Sequence, residues 1–198
     1  KTAGKRAHAL GHPIVIDPVG VSGSSYRREK CLELMKIIHP TCIRGNYSEI
    51  QALLHNCGTV TGVDAAEDAL AEAEETDLPE LMKQYAKENQ MILVASGETD
   101  LITDGSCVYR CHNGSPMMAR ITGSGCMSTV MLGAFLSAEN SVESAVACCA
   151  FTGIAGELAA KEMTAQKRGT MTFRNWFIDA VSLMTPEQLE HGTDVDWF

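Results

Sequence analysis

An α/β fold, with a mainly parallel sheet flanked by helices in three layers, is predicted from three observations in the 198-residue sequence. Short β-branched apolar runs alternate with helix-periodic stretches through the first half, the pattern of βαβ units. Each run ends in a loop of small and polar residues, as at the carboxyl ends of strands in open α/β sheets. Hydrophobic residues make up 45% of the chain, enough for one core, so residues 1–198 are read as a single domain.

The elements follow in order. The opening KTAGKRAHALGHP reads as the end of a helix. The chain starts at Lys1 rather than Met, so it is expected to be an N-terminally incomplete domain. His12 to Gly20 contains an apolar run stopped by Asp17-Pro18 and reads as a buried strand. Residues 25–38 have helical spacing, with Leu32, Met35, Lys36 and Ile38 near one face. Thr41 to Arg44 is a second strand, turning at Gly45 into a helix. Residues 65–90 carry helical material interrupted at Pro79. Met91 to Ala95 is a strand, Ser96-Gly97 a turn, and Leu101 to Thr103 a further strand. Ser106 to Met118 reads as a hairpin turning at Asn113-Gly114. Met127 to Ala138 and Val142 to Met163 are helical, the second rich in Ala and Gly for close packing. Thr170 to Met184 is read as a short extended piece and a helix. Thr185 caps a last helix, with Pro186 at its first position and Gln188 reaching back.

Composition excludes some classes. The net charge of −9 argues against nucleic acid or an anionic membrane as partner. No apolar run is read as reaching the roughly 18 residues of a membrane span, and no signal peptide is visible. The eight cysteines read as reduced thiols, which points to the cytoplasm. Cys107, Cys111 and His112 do not make a zinc site on a strand, where positions four apart stand about 13 Å from each other.

The strand-end loops carry the candidate chemistry. In TGSGC, Gly123 and Gly125 let the backbone approach a ligand, and a helix starting at Cys126 would aim its free N–H groups at an anion. The plain alternative is a tight turn before a buried Cys126. Helix N-termini also favour thiolate, so a covalent cysteine enzyme is a rival, although it lacks an evident histidine base. Arg44 is suited to clamp phosphate, or else forms a surface ion pair. Asn46 and Glu49 have capping-box spacing. Glu49 is therefore either a cap or, with Asp17, a carboxylate for a water-bridged magnesium ion. No P-loop signature is present.

Taken together, IVIDPVGVSGSSYR, TCIRGNYSEI, SGETDLITDG, ITGSGCMSTVMLGAFLSA, TGIAGELAA and FRNWFIDAVSLMTPEQL resemble the hydroxyethylthiazole kinase family over nearly the whole chain. The resemblance implies a ribokinase-like fold and a homotrimer with sites at subunit interfaces. It implies transfer of phosphate from ATP, with magnesium, to the alcohol of 4-methyl-5-(2-hydroxyethyl)thiazole in thiamine salvage. It further implies that Arg44 and Ser96 touch ATP, with Ser96 standing where the family usually has threonine. Gly123 then lies against the substrate, and the loop through Gly125 forms the anion hole. Cys126 stands where most ribokinase-like enzymes carry a catalytic aspartate, and Asp17 and Glu49 serve magnesium and phosphate. Family members have roughly a further quarter of chain before Asp17, so the parent protein is expected to be active and this piece alone inactive. A second small-alcohol kinase of the same fold, such as a pyrimidine kinase, is opposed by Cys126 and by the RGN motif.

Overall fold

The computed structural model describes residues 1–56 and 78–198. It contains α1 (Thr2–Ala9), β1 (Val15–Ile16), α2 (Ser25–Ile38), β2 (Cys42–Asn46), α3 (Tyr47–Asn56) and α4 (Leu78–Asn89). After these come β3 (Ile92–Ser96), β4 (Asp100–Thr103), β5 (Val108–Cys111), a 3-10 helix (Pro116–Arg120), α5 (Ser124–Ala138), α6 (Val142–Ala165), α7 (Thr170–Leu183), α8 (Pro186–Gly192) and β6 (Val195–Trp197). Among the described residues six strands form one sheet in chain order, β1-β2-β3-β4-β5-β6. The chain divides into two compact units, Lys1–Ala95 with Thr103–Val108, and Ser96–Ile102 with Tyr109–Phe198.

In the first unit β1 pairs parallel with β2, Val15 opposite Cys42 and Ile16 opposite Ile43. The buried strand predicted within His12 to Gly20 is two residues long and only half-buried. Pro13 and Pro18, which donate no backbone hydrogen bond, bracket it. Helix α2 is capped by Ser24, whose hydroxyl accepts from Arg27 N–H, and it buries Cys31, Met35 and Ile38, whereas Lys36 is exposed. Strand β2 continues through Gly45 and Asn46, so the expected turn at Gly45 is absent. A Cβ at Gly45 would lie 3.1 Å from Pro18 Cγ and 3.1 Å from Glu49 Cβ, and glycine keeps that junction tight. The part of the 65–90 helical expectation before Leu78 lies outside the described residues. Pro79 sits in the first turn of α4, where its missing N–H costs nothing, and does not interrupt the helix.

The predicted hairpin is misplaced. Its turn is at Asp104-Gly105-Ser106, between β4 and β5. There Gly105 N–H and Ser106 N–H donate to Thr103 Oγ1 and Asp104 Oδ1, and Thr103 Oγ1 donates to the Cys107 carbonyl at 2.6 Å. Gly105 has φ +97°, and a Cβ there would stand 2.5 Å from Lys87 N, so only glycine fits. Three residues join β3 to β4 and four join β4 to β5. Parallel crossovers need a dozen or more, so the sheet is mixed rather than mainly parallel.

In the second unit β5 pairs antiparallel with β6, a strand that the sequence reading missed. The core here is Ile121, Ala155, Ala159, Phe173 and Phe177, with Met117, Met118, Met127 and Met131 around it. Phe173 and Phe177 stack at 6.3 Å between centroids and are fully buried, each worth roughly 1.5–3 kcal/mol of transfer free energy. Helix α6 is packed closely, as its Ala and Gly content predicts. A Cβ at Gly153 would come within 2.5 Å of the Asn113 backbone, and one at Gly156 within 2.5 Å of Met118 Sδ. By length and composition α6 meets the requirement for a membrane span, contrary to the sequence expectation, yet 61% of its apolar window is buried inside the protein. Helix α7 is helical from Thr170, so there is no extended piece before it. Buried Phe173 anchors its first turn. The cap on α8 is as predicted: Gln188 N–H donates to Thr185 Oγ1, and Thr185 N–H to Gln188 Oε1.

Candidate active site

The carboxylate end of the first unit is built around Glu49. Asn46 Oδ1 accepts from Glu49 N–H at 2.9 Å, and Glu49 Oε2 accepts from Asn46 N–H at 2.9 Å. This is the reciprocal capping box that the spacing predicts, closing the start of α3. Glu49 Oε1 accepts a third bond, from Gly20 N–H at 2.7 Å. The carboxylate is buried and ties the Asp17–Gly20 loop to the β2–α3 junction. Asp17 follows β1 and is half-buried. Arg44 is the third residue of β2 rather than its end, and it is half-buried too.

Among the described residues no three His, Cys, Asp or Glu side chains gather into a metal cage. Both Glu49 oxygens already accept backbone N–H groups. Each keeps a lone pair free for water, so this donor set fits a cation that retains its water shell and phosphate ligands.

The glycine loop lies in the second unit. Helix α5 begins at Ser124, two residues before the expected start, and Gly123 is its N-cap with φ +96°. Cys126 is therefore the third helical residue rather than the first. A Cβ on Gly123 would meet nothing within 4 Å, so glycine serves its conformation and the space above it is open. The Ser124 hydroxyl donates to the Met118 carbonyl at 2.8 Å and fixes the helix start to the 3-10 helix. Met127 N–H donates to Gly123 O at 2.9 Å, the first regular helical bond. A helix start leaves its first-turn N–H groups without partners inside the helix, the general reason helix N-termini receive anions. Cys126 is exposed, not buried, at the rim of a groove of about 380 Å³ between α5 and α7 lined by Val130, Met131, Phe177, Ile178 and Val181. That groove was not foreseen, because its two walls are far apart in sequence.

Ser96 ends β3 and is half-buried. Its turn is closed by Gly97 N–H donating to Asp100 Oδ1 at 3.0 Å. Beside it lies a cluster the sequence reading did not find. His112 shares hydrogen bonds with Thr99 (Nδ1 to Oγ1, 3.3 Å) and Asp196 (Nε2 to Oδ2, 3.2 Å), while Arg110 Nε donates to Asp196 Oδ1 at 2.6 Å. The Arg110 guanidinium, then His112, hold the Asp196 carboxyl below its ordinary range.

The fold is that of an α/β protein in which one unit carries Asp17, Arg44 and Glu49 and the other carries Ser96 and the glycine-capped start of α5. The chain belongs to the hydroxyethylthiazole kinase family, whose family model matches residues 1–187. It is 36% identical over 191 residues to a hydroxyethylthiazole kinase of Clostridium acetobutylicum, covering 95% of this chain and 70% of the relative. It is 37% identical over 195 residues to one from Desulforudis audaxviator, covering 98% of this chain and 68% of the relative. The structure of a hydroxyethylthiazole kinase protein from Pyrococcus horikoshii OT3 matches with a TM-score of 0.82 at 26% identity, covering all of this chain and 70% of that one.

Proposed function

We propose that this protein transfers the γ-phosphoryl group of ATP to the hydroxyl of 4-methyl-5-(2-hydroxyethyl)thiazole, as a cytoplasmic homotrimer in thiamine salvage. The observation that carries this reading is Gly123: a left-handed N-cap with open space beside its Cα, at the start of α5. Family membership supplies the substrate class.

In the reaction the substrate hydroxyl oxygen forms a bond to the γ-phosphorus, the bond to the β,γ-bridging oxygen breaks, ADP leaves, and the hydroxyl proton is released. Phosphoryl transfer is mainly positioning and charge stabilisation. Arg44 and Ser96 are assigned to ATP, and Gly123 to the thiazole. The backbone through Gly125 receives the developing negative charge. Cys126 neighbours the reacting hydroxyl and takes or passes on its proton. Asp17 and Glu49 would hold a hydrated magnesium ion, which supplies charge neutralisation on the phosphates.

Cys126 decides between this reading and a covalent thiol enzyme. Cys126→Asp is expected to retain or raise ADP release at saturating ATP and magnesium, because a carboxylate is the better proton acceptor near neutral pH. Cys126→Ala is expected to keep a residual rate, the loss lying within or below the ~10²–10⁴-fold worth of general-base help. Turnover independent of ATP, or an Asp variant that binds ATP but is dead, overturns the assignment.

A further inference from the structure

The Thr99–His112–Asp196 cluster lies in the same compact unit as Ser96 and is not used by the mechanism above. It joins three pieces of chain: Thr99 in the loop between β3 and β4, His112 just after β5, and Asp196 in β6. The anchor is firm. Arg110 and Asp196 are directly opposed in the β5–β6 register, and they pair through Nε and Oδ1 at 2.6 Å. The Arg110 guanidinium also lies 5.0 Å from the centre of the Phe198 ring, and His112 N–H donates to the Asp194 carbonyl at 2.9 Å.

The hydrogen-bond directions follow from the donor inventory. A carboxylate only accepts, so Nε2 of a neutral His112 carries the proton and donates to Asp196 Oδ2. Nδ1 is then the acceptor, and the Thr99 hydroxyl donates to it. Thr99 stands three residues after Ser96, in the turn closed by the Gly97–Asp100 bond. We infer that His112 is a positioning residue for the nucleotide loop: oriented by Asp196, its imidazole holds Thr99 and so fixes the Ser96–Asp100 turn that presents Ser96 to ATP. The inference rests on the assignment of Ser96 to ATP.

The test measures magnesium-ATP binding by calorimetry, with steady-state KM and kcat for both substrates, in Ser96→Ala, Thr99→Val, Thr99→Ser and His112→Phe. Val matches Thr in shape and lacks only the hydroxyl. One hydrogen bond of ordinary net worth corresponds to an affinity change of about two- to tenfold. Thr99→Val and His112→Phe are expected to weaken ATP binding by that factor and to raise KM for ATP. The KM for the thiazole and the melting temperature should stay unchanged, and Thr99→Ser should restore the parent value. If Ser96→Ala weakens ATP binding while the Thr99 and His112 variants do not, the inference falls and the ATP assignment stands. If Ser96→Ala leaves ATP binding unchanged, the assignment falls and the inference with it. A loss of melting temperature in Thr99→Val with both KM values unmoved makes the cluster structural only, and overturns the inference as well.

Discussion

Glu49→Gln separates two roles that one carboxylate has in this structure. Its oxygens accept from Gly20 N–H at 2.7 Å and from Asn46 N–H at 2.9 Å. A glutamine has one acceptor oxygen and one donor nitrogen, so it keeps one of these bonds and turns an N–H donor toward the other backbone donor. The lost bond is to a charged acceptor, worth ~1.5–3 kcal/mol, and a buried N–H left without a partner costs ~1–3 kcal/mol. These overlap, so the expected loss of stability is about 2–4 kcal/mol. For a chain of this length 1 kcal/mol moves Tm by about 2–4 °C, and the variant should melt roughly 4–16 °C lower in a circular-dichroism scan. Activity is then assayed below both melting temperatures across a magnesium titration. Partial recovery at high magnesium supports the cation role, whereas a magnesium-independent rate assigns Glu49 to the loop alone. A melting temperature within a degree of the parent's would refute the idea that this carboxylate fastens the Asp17–Gly20 loop to α3.

Two other predictions follow from geometry. Gly105→Ala and Gly123→Ala both force a left-handed φ, near +97° and +96°, which costs a residue with a Cβ about 1–2 kcal/mol. At Gly105 the new Cβ also meets the Lys87 backbone at 2.5 Å, so Gly105→Ala should lose more than about 3 kcal/mol in urea unfolding and Gly123→Ala far less. For the thiols, burial pushes Cys111 up to about 12, whereas Cys126 is exposed. Iodoacetamide at pH 8 followed by peptide mass analysis should label Cys126 well before Cys111. Because the folded thiol of Cys111 titrates above the unfolded one, its contribution to stability is complete below the ordinary thiol range and declines as pH rises from there toward 12.

Local signals in the sequence translated well. Thr185-Pro186-Glu187-Gln188 reads as a capping box because every partner lies within three residues, and both bonds are present. Asn46 and Glu49 read the same way, but the bond from Gly20, 29 residues away, is set by tertiary packing and has no local trace. The same distinction explains the misplaced hairpin. Asn113-Gly114 is a strong turn signal in isolation. In the folded chain the Asn113 amide donates to Gly192 O at 2.8 Å and its oxygen accepts from Asp194 N–H at 2.8 Å, so the residue fastens the C-terminal segment instead. Helix α5 starts early because glycine and serine are poor helix formers only in the interior. In a first turn their N–H groups have no intrahelical bond to lose, and the Ser124 hydroxyl gains a bond to Met118 O. The strand-end loops were legible as candidates from composition. The Thr99–His112–Asp196 contact was not, since its members are 13 and 84 residues apart.

Among the described residues both ends of the strand order are short, two residues in β1 and three in β6. A strand at the margin of a sheet offers unpaired backbone groups to any other extended chain, and brevity and charge are common defences. Strand β6 has both, with Asp196 at its centre. It also shields the longer β5, whose Tyr109, Arg110 and Cys111 pair with it directly. Residues 195–197 thus cover one side of β5. Deleting 193–198 would uncover the margin of β5 and favour precipitation through intermolecular strand addition, even where the rest of the fold survives.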